Sequence, residues 1–244
     1  MGWGHDGKTV YYCVDLEASG PVPGLFNMVS IGGVEVRWDG TRHVRGRGFY
    51  FELVPDFPGF EEGAMKIHGL SEAHLRANGR PGRDVMQAIS AWVKEGLKPG
   101  EKPLFVGHNA PFDWMFVAYY FAWAGLENPF GYNALDTKAL AMGKHRCFFK
   151  ATNKERLLEL YPRLRAPEKH MEHNALADAE FQADILCALL DDSAASAPEE
   201  LRDLGRSADQ HAPRRRSREG DVERAGAAPR GHAVEVREHD DGPL

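Results

Sequence analysis

Val10-Tyr11-Tyr12-Cys13-Val14-Asp15-Leu16-Glu17 decides how this chain is read. Residues 10–16 are β-branched and aromatic, the composition of a strand, and the run stops at Ala18-Ser19-Gly20-Pro21, which turns the chain. Asp15 and Glu17 stand two residues apart, so on a strand their side chains leave the same face. Two carboxylates held a few ångströms apart repel each other unless a cation lies between them. A solvated strand end carrying two surface acids is the bland alternative.

Working outward, Met28–Trp38 and His43–Val54 read as two further strands separated by the turn signal Asp39-Gly40-Thr41. With the first strand they form an expected three-stranded antiparallel sheet. Residues 71–77 and 83–96 follow with helical spacing, and Val85, Ile89, Trp92 and Val93 share one face of the second. Leu104–Gly107 is a short buried strand, and Pro111 opens a helix to about Ala124. Tyr132–Leu135 is a fifth strand leading into a helix from Asp136 or Thr137. Helices are expected over 152–160 and 174–190. Strands first and then alternating helix and strand predict an α/β fold, a mixed sheet flanked by helices.

The expected domain covers residues 8–191. Residues 192–244 are rich in Ala, Arg, Asp, Glu, Gly and Pro, and hold no aromatic residue after Ser193. Such a segment buries too little apolar surface to fold alone and is expected to be a disordered charged tail. Its basic run Arg214-Arg215-Arg216 offers a contact for a phosphate backbone or for a polymerase or other protein partner, against the default of a solvated segment.

Of the 244 residues 43% are hydrophobic, enough for a core, and the formal net charge of -6 argues against bulk attraction to nucleic acid. A local basic groove remains compatible with it, since an acidic site lowers the total by itself. Three widely spaced cysteines, without a Cys-x-x-Cys pair, exclude a disulfide framework and fit a reducing cytoplasmic location. The start of the sequence shows no secretory signal pattern, and the most apolar run, Trp114–Leu126, is too short to span a membrane. Gly2-Trp3-Gly4-His5-Asp6-Gly7 fits G-x-G-x-x-G but precedes a strand and opens no helix, so it reads as a frayed end.

Two more strings carry acids beside apolar sequence: His108-Asn109-Ala110-Pro111-Phe112-Asp113 and His173-Asn174-Ala175-Leu176-Ala177-Asp178. Asp113, at an apolar helix start, suits either a cation or the positive end of the helix dipole. Asp178 lies about one turn into the last helix, and His173 before it suits a general base, or else a local helix lead-in. Four carboxylates are hard oxygen donors that favour Mg2+ or Mn2+ over zinc, and two such ions promote phosphodiester hydrolysis. His170, Glu172 and His173 match no common zinc spacing.

In order and spacing, Asp15-x-Glu17, His108…Asp113 and His173-x-x-x-x-Asp178 resemble the three motifs of the DEDDh, or DnaQ-like, 3′–5′ exonucleases. These include a polymerase proofreading subunit, RNase T and oligoribonuclease. Asn174 stands where a tyrosine would mark the sister subgroup. The resemblance implies a ribonuclease-H-like fold and a two-metal 3′–5′ exonuclease that acts on single-stranded DNA or RNA ends and releases nucleoside 5′-monophosphates. A partner-binding accessory subunit is the alternative, and the oligomeric state stays open.

By the same resemblance Asp15, Glu17 and Asp178 hold the ion that carries the attacking water, Asp15 bridges to a second ion completed by Asp113, and His173 accepts the water's proton. His108 supports the wall of the site or lies near phosphate. Ile67-His68-Gly69-Leu70-Ser71 resembles the segment near the terminal nucleotide, and Leu135-Asp136-Thr137 the element after the second motif. Ala18-Ser19 replaces the commoner Thr-Thr, so contacts to the last base differ there. Substrate-contact candidates are Ala18, Leu25, Phe26, Met28, His68, His108 and Phe112, with Met28 and Phe112 equally readable as core. Lys144, Arg146 and Lys150 are candidates for a basic rim at the cleft, against the default of a solvated face.

Overall fold

The computed structural model describes residues 8–168 and 173–192. The segments 2–7, His170 with Glu172, and the tail after Asp192 lie outside the described residues, and with them the readings of those segments. Five strands form one sheet: β1 (Thr9–Ala18), β2 (Met28–Trp38), β3 (His43–Glu52), β4 (Lys102–Gly107) and β5 (Ala134–Asp136). Their order across the sheet is β3-β2-β1-β4-β5. β1 pairs antiparallel with β2 and β2 with β3, whereas β4 and β5 join in parallel. This is the mixed sheet expected of the sequence, with β1 at its centre.

Alternation along β1 assigns its two faces. Val10, Tyr12, Val14, Leu16 and Ala18 enter one core with Val85, Met86, Ile89 and Val93 of α3 (Gly82–Gly96) and with Phe116, Val117, Tyr120 and Phe121 of α4 (Ala110–Trp123). Cys13 turns to the opposite face, where it packs with Val34, Val36 and Val106 against α7 (Ala175–Asp191). Asp15 and Glu17 follow Cys13 in that alternation, so the strand delivers both acids to the α7 side.

α7 is buried along two stripes. Ala175, Ala179 and Ala183, four residues apart, are small enough to bring its backbone close to the sheet. Phe181, Ile185 and Leu189 face Ala141 of α5 (Thr137–His145) and Leu157 and Tyr161 in and after α6 (Lys154–Leu160). Gly32 of β2 lies opposite Asp15, and a Cβ there would fall 2.4 Å from the Ala175 carbonyl carbon and the Leu176 nitrogen. The absent side chain is what lets the N-terminus of α7 pass directly over β1 and β2.

Several boundaries depart from the sequence reading. β1 runs to Ala18 and bulges at Glu17/Ala18, so both acids lie within the strand rather than at its exit. Two short helices, α1 (Glu62–His68) and α2 (Glu72–Asn78), precede α3; only the second is expected from the sequence. α1 has no buried residue, so no apolar stripe announces it. The expected 152–160 helix is a 3₁₀ turn at Phe149–Thr152 followed by α6, whose Asn153 side chain accepts from the Arg156 N–H. Among the described residues no helix is long and apolar enough to cross a membrane.

Candidate active site

The site forms at the carboxyl end of β1, where β1 outruns its parallel pairing with β4. That pairing ends with Cys13 opposite Val106. β4 stops at Gly107, and the chain turns through Asn109, whose left-handed backbone (φ 76°) directs it into α4. Asp113 then lies in the first turn of α4, and its Oδ1 accepts the Leu16 N–H at 3.3 Å. The carboxylate therefore takes up a strand amide between Asp15 and Glu17, which fixes α4 to the acidic end of β1. Asp136 braces the same corner: its Oδ1 accepts from the Asn109 N–H at 3.1 Å and from the Lys138 N–H at 2.8 Å.

α7 supplies the opposite wall. Asn174 caps it by accepting from the Leu176 and Ala177 N–H groups, both at 3.2 Å. His173 precedes the cap with a left-handed backbone (φ 59°), and its N–H donates to Asp178 Oδ2 at 3.1 Å. One turn beyond Asp178, Gln182 is fully buried and donates its side-chain amide to Asp15 Oδ1. Donor atoms of Glu17, His173 and Asp178 all lie within 4.8 Å of one another. Asp15 and Asp113 flank this trio electrostatically without joining its donor cluster.

Three carboxyls at this end of β1 and α4 are pushed far from their ordinary range. Burial pushes Asp15 up to about 7, and repulsion from Asp178 adds to it. Burial first, and then Asp15 and Asp178, push Glu17 up to about 8. Asp113 is raised well above its usual value by burial and by Asp15. Groups that resist ionisation for these reasons regain their charge when a cation is placed among them. Hard carboxylate oxygens with one imidazole form a donor set that fits a divalent ion. Glu17, Asp178 and the exposed His173 are the residues whose donor atoms converge closely enough to hold one, with Asp15 and Asp113 beside them.

The sequence reading missed Lys154. This first residue of α6 places its ammonium on Asp178 Oδ1 and 5.9 Å from the Phe181 ring centre. Its charge also eases ionisation of Asp15 and Glu17. A single lysine twenty-four positions before Asp178 carries no spacing signal. One oddity does mark it: a helix N-terminus disfavours positive charge.

The substrate-contact candidates divide. Leu25 is 64% exposed on the loop after β1, and Phe26 lies partly buried over Gly20 and Gly59. That loop is fixed by a buried network in which Ser19 Oγ donates to the Gly59 carbonyl at 2.7 Å and accepts the Asn27 N–H at 2.8 Å. Ser19 is thus spent on structure, and Ala18 is buried beside it. His68, half-buried, accepts the Leu70 N–H at Nδ1, 3.1 Å away, while its Nε2 is buried without a hydrogen-bond partner. Burial and the charge of His173 hold its pKa down. Phe112 is partly buried and tilts against Phe116 at 5.3 Å. Of the two readings open for Met28 the core one holds, because it is fully buried in the α3/α4 core and has no surface to offer.

His108 differs from His173. Thr137 Oγ1 donates to the Gly107 carbonyl at 3.2 Å, which leaves it to accept from His108 Nδ1 at 2.9 Å. Burial, with Lys154 and Lys138 nearby, drives this imidazole down to about 3, so it stays neutral and braces the wall. Of the expected basic rim, Arg146 and Lys150 are exposed, but Lys144 is a correction. Its ammonium binds the Leu189 carbonyl at 2.8 Å and the Asp192 carbonyl, at the far end of α7. Free carbonyls at a helix C-terminus attract a lysine more strongly than open solvent does.

A family described as the 3'-5' exoribonuclease Rv2179c-like domain matches residues 10–190. A curated relative, the 3'-5' DNA exonuclease Cap18 of Escherichia coli, is 34% identical over 178 residues, 73% of this chain and 90% of the relative. Among solved structures, the nuclease domain of 3'hExo, described as a DEDDh family member bound to rAMP, superposes with a TM-score of 0.63 at 14% identity. That match covers 78% of this chain and 96% of that one. Exonuclease I of Escherichia coli in complex with a dT13 oligonucleotide gives a TM-score of 0.56 at 19% identity, over 75% of this chain and 41% of that one. The structural likenesses show that the chain shares the fold of these nucleases, and the family match and the curated relative show a 3′–5′ exonuclease.

Proposed function

The chain belongs to the Rv2179c-like 3′–5′ exonuclease family, and on that premise we propose a cation-dependent hydrolase that trims single-stranded nucleic acid from its 3′ end. That it is a 3′–5′ exonuclease follows from the family and the curated relative. The finer reading, a nucleoside 5′-monophosphate released from DNA or RNA with His173 as general base, is ours. The observation that supports it is the gathering of Glu17, Asp178 and His173 donor atoms within 4.8 Å, beside the half-buried Asp15 and the buried Asp113.

Asp15, Glu17, Asp113 and Asp178 would hold two divalent cations, Mg2+ or Mn2+, which when bound supply electrostatic stabilisation of the reacting phosphate and activation of water. The remaining steps belong to the chain itself. His173 stands exposed at the mouth with its backbone pinned by Asp178, positioned to take the proton of the attacking water. Asp113 holds the end of β1 through Leu16, which keeps Asp15 and Glu17 in register. Gln182 donates to Asp15 and so orients its carboxylate. Leu25, Phe26, His68 and Phe112 supply the apolar and imidazole surface on which a terminal unpaired nucleotide stacks.

Mass spectrometry of the products from a short single-stranded DNA and its RNA counterpart tests the reading. Nucleoside 5′-monophosphates as the first products are expected; nucleoside 3′-monophosphates would refute the direction of attack. Rates on the two sugars rank the pocket's treatment of the 2′-hydroxyl.

A further inference from the structure

Lys154 is expensive where it stands. It opens α6 at the end of the helix whose dipole repels a cation, and its side chain is about two-thirds buried. Burying a lysine there is sustained only by the carboxylates it meets, above all Asp178, whose Oδ1 it contacts. Neighbouring basic residues behave differently: Lys144 closes the far end of α7, and Arg156 pairs with Glu159 on the surface of α6. Phe181, 3% exposed and beneath the ammonium, limits the directions open to it.

We propose that Lys154 is the phosphate-binding residue of this active site, held on Asp178 until cations claim that carboxylate and then transferred to the phosphate of the terminal nucleotide. The inference rests on the cation reading above and adds a residue to it. Charge supports the assignment. Four ionised carboxylates are balanced by two divalent cations, which leaves the lysine's single positive charge without a counter-ion. A phosphodiester brings one negative charge. The ammonium sits on a flexible four-carbon stem and can turn from Asp178 to a phosphate oxygen without moving α6. In the absence of cations the same ammonium limits repulsion among Asp15, Glu17 and Asp178, so it competes with the first cation to bind.

Two measurements on the full chain test this without reading turnover. Mn2+ binding followed by electron paramagnetic resonance should tighten about fivefold in Lys154→Met, since no ammonium must be displaced. Binding of AMP in the presence of Mn2+ should weaken about tenfold in that variant, adenosine binding should stay unchanged, and Lys154→Arg should retain most of the AMP affinity. A residue that merely packs α6 against α7 would weaken Mn2+ and adenosine binding as well. Unchanged AMP affinity in Lys154→Met, or Mn2+ binding that is unchanged or weaker, overturns the proposal. Wild-type protein that binds no Mn2+, or binds it equally well after Asp15→Asn, refutes instead the cation reading on which it rests. Circular dichroism verifies that Lys154→Met is folded, and Lys154→Arg supplies the AMP comparison if it is not.

Discussion

Replacing Gly32 with alanine should disable the site without touching any group that does chemistry. Gly32 lies opposite Asp15 on β2, and its backbone is ordinary strand, so alanine meets no conformational penalty. The penalty is steric. Its Cβ would stand 2.4 Å from the Ala175 carbonyl carbon, 2.4 Å from the Leu176 nitrogen and 2.5 Å from the Ala175 oxygen, all backbone atoms. Ordinary contact needs about 1 Å more, so the N-terminus of α7 must retreat by about that much, carrying His173 and Asp178 with it. Overpacking of this kind costs about 1–3 kcal/mol. A misplacement of about 1 Å in an assembled site costs on the order of a hundredfold in rate. Steady-state degradation of an end-labelled single-stranded oligonucleotide should therefore fall about a hundredfold, while thermal unfolding shifts by only a few degrees. Gly143→Ala, which meets open space in α5, should match wild type in rate and unfold at the same temperature or slightly higher, since alanine favours a helix interior. Full activity in Gly32→Ala would refute the claim that close passage of α7 over β1 assembles the site.

Three further outcomes follow from the same geometry. His173→Ala should nearly abolish turnover, whereas His108→Ala should lower it several-fold through a loosened wall; equal losses in initial rate would contradict the assignment of the proton acceptor. Asp113→Asn keeps an acceptor for the Leu16 N–H but removes a charge, so it should unfold near the wild-type temperature and lose at least tenfold in rate, and a large drop in melting temperature would count against it. With chelator present, the raised carboxyls of Asp15 and Glu17 make the folded chain hold protons that the unfolded chain, titrating at 3.8 and 4.5, has released. Their contribution is complete below those ordinary values and is lost as pH rises towards about 7 and about 8. The urea midpoint should accordingly fall between pH 5 and pH 8 and flatten in Asp15→Asn; a midpoint that rises over that range would contradict burial and mutual repulsion as the cause of the raised values.

Much of this was legible in the sequence because the signals are local. The β-branched run ending in Asp15 and Glu17, the turn at Asp39-Gly40, and Asn174 before an alanine-rich helix each act within a few residues, and each element formed where its pattern stood. What escaped depends on partners distant in sequence. Lys154 has meaning only once α6 packs on α7, and Gly32 only once the register sets it opposite Asp15. Ser19 read as a departure near the substrate, yet its partners at Asn27 and Gly59 take it out of the cleft. Met28 and Lys144 could not be settled from the sequence for the same reason: an apolar or basic residue near a motif declares its chemistry, while its direction is set by the sheet and by the end of α7.

The most direct test is incubation of 5′-end-labelled single-stranded DNA and RNA with Mg2+ or Mn2+, and in parallel with chelator. The account predicts a ladder shortened one nucleotide at a time from the 3′ end, present only with the cation and absent in Asp15→Ala. Oligonucleotides left unchanged under every condition, or a ladder that persists in chelator or in Asp15→Ala, would contradict it.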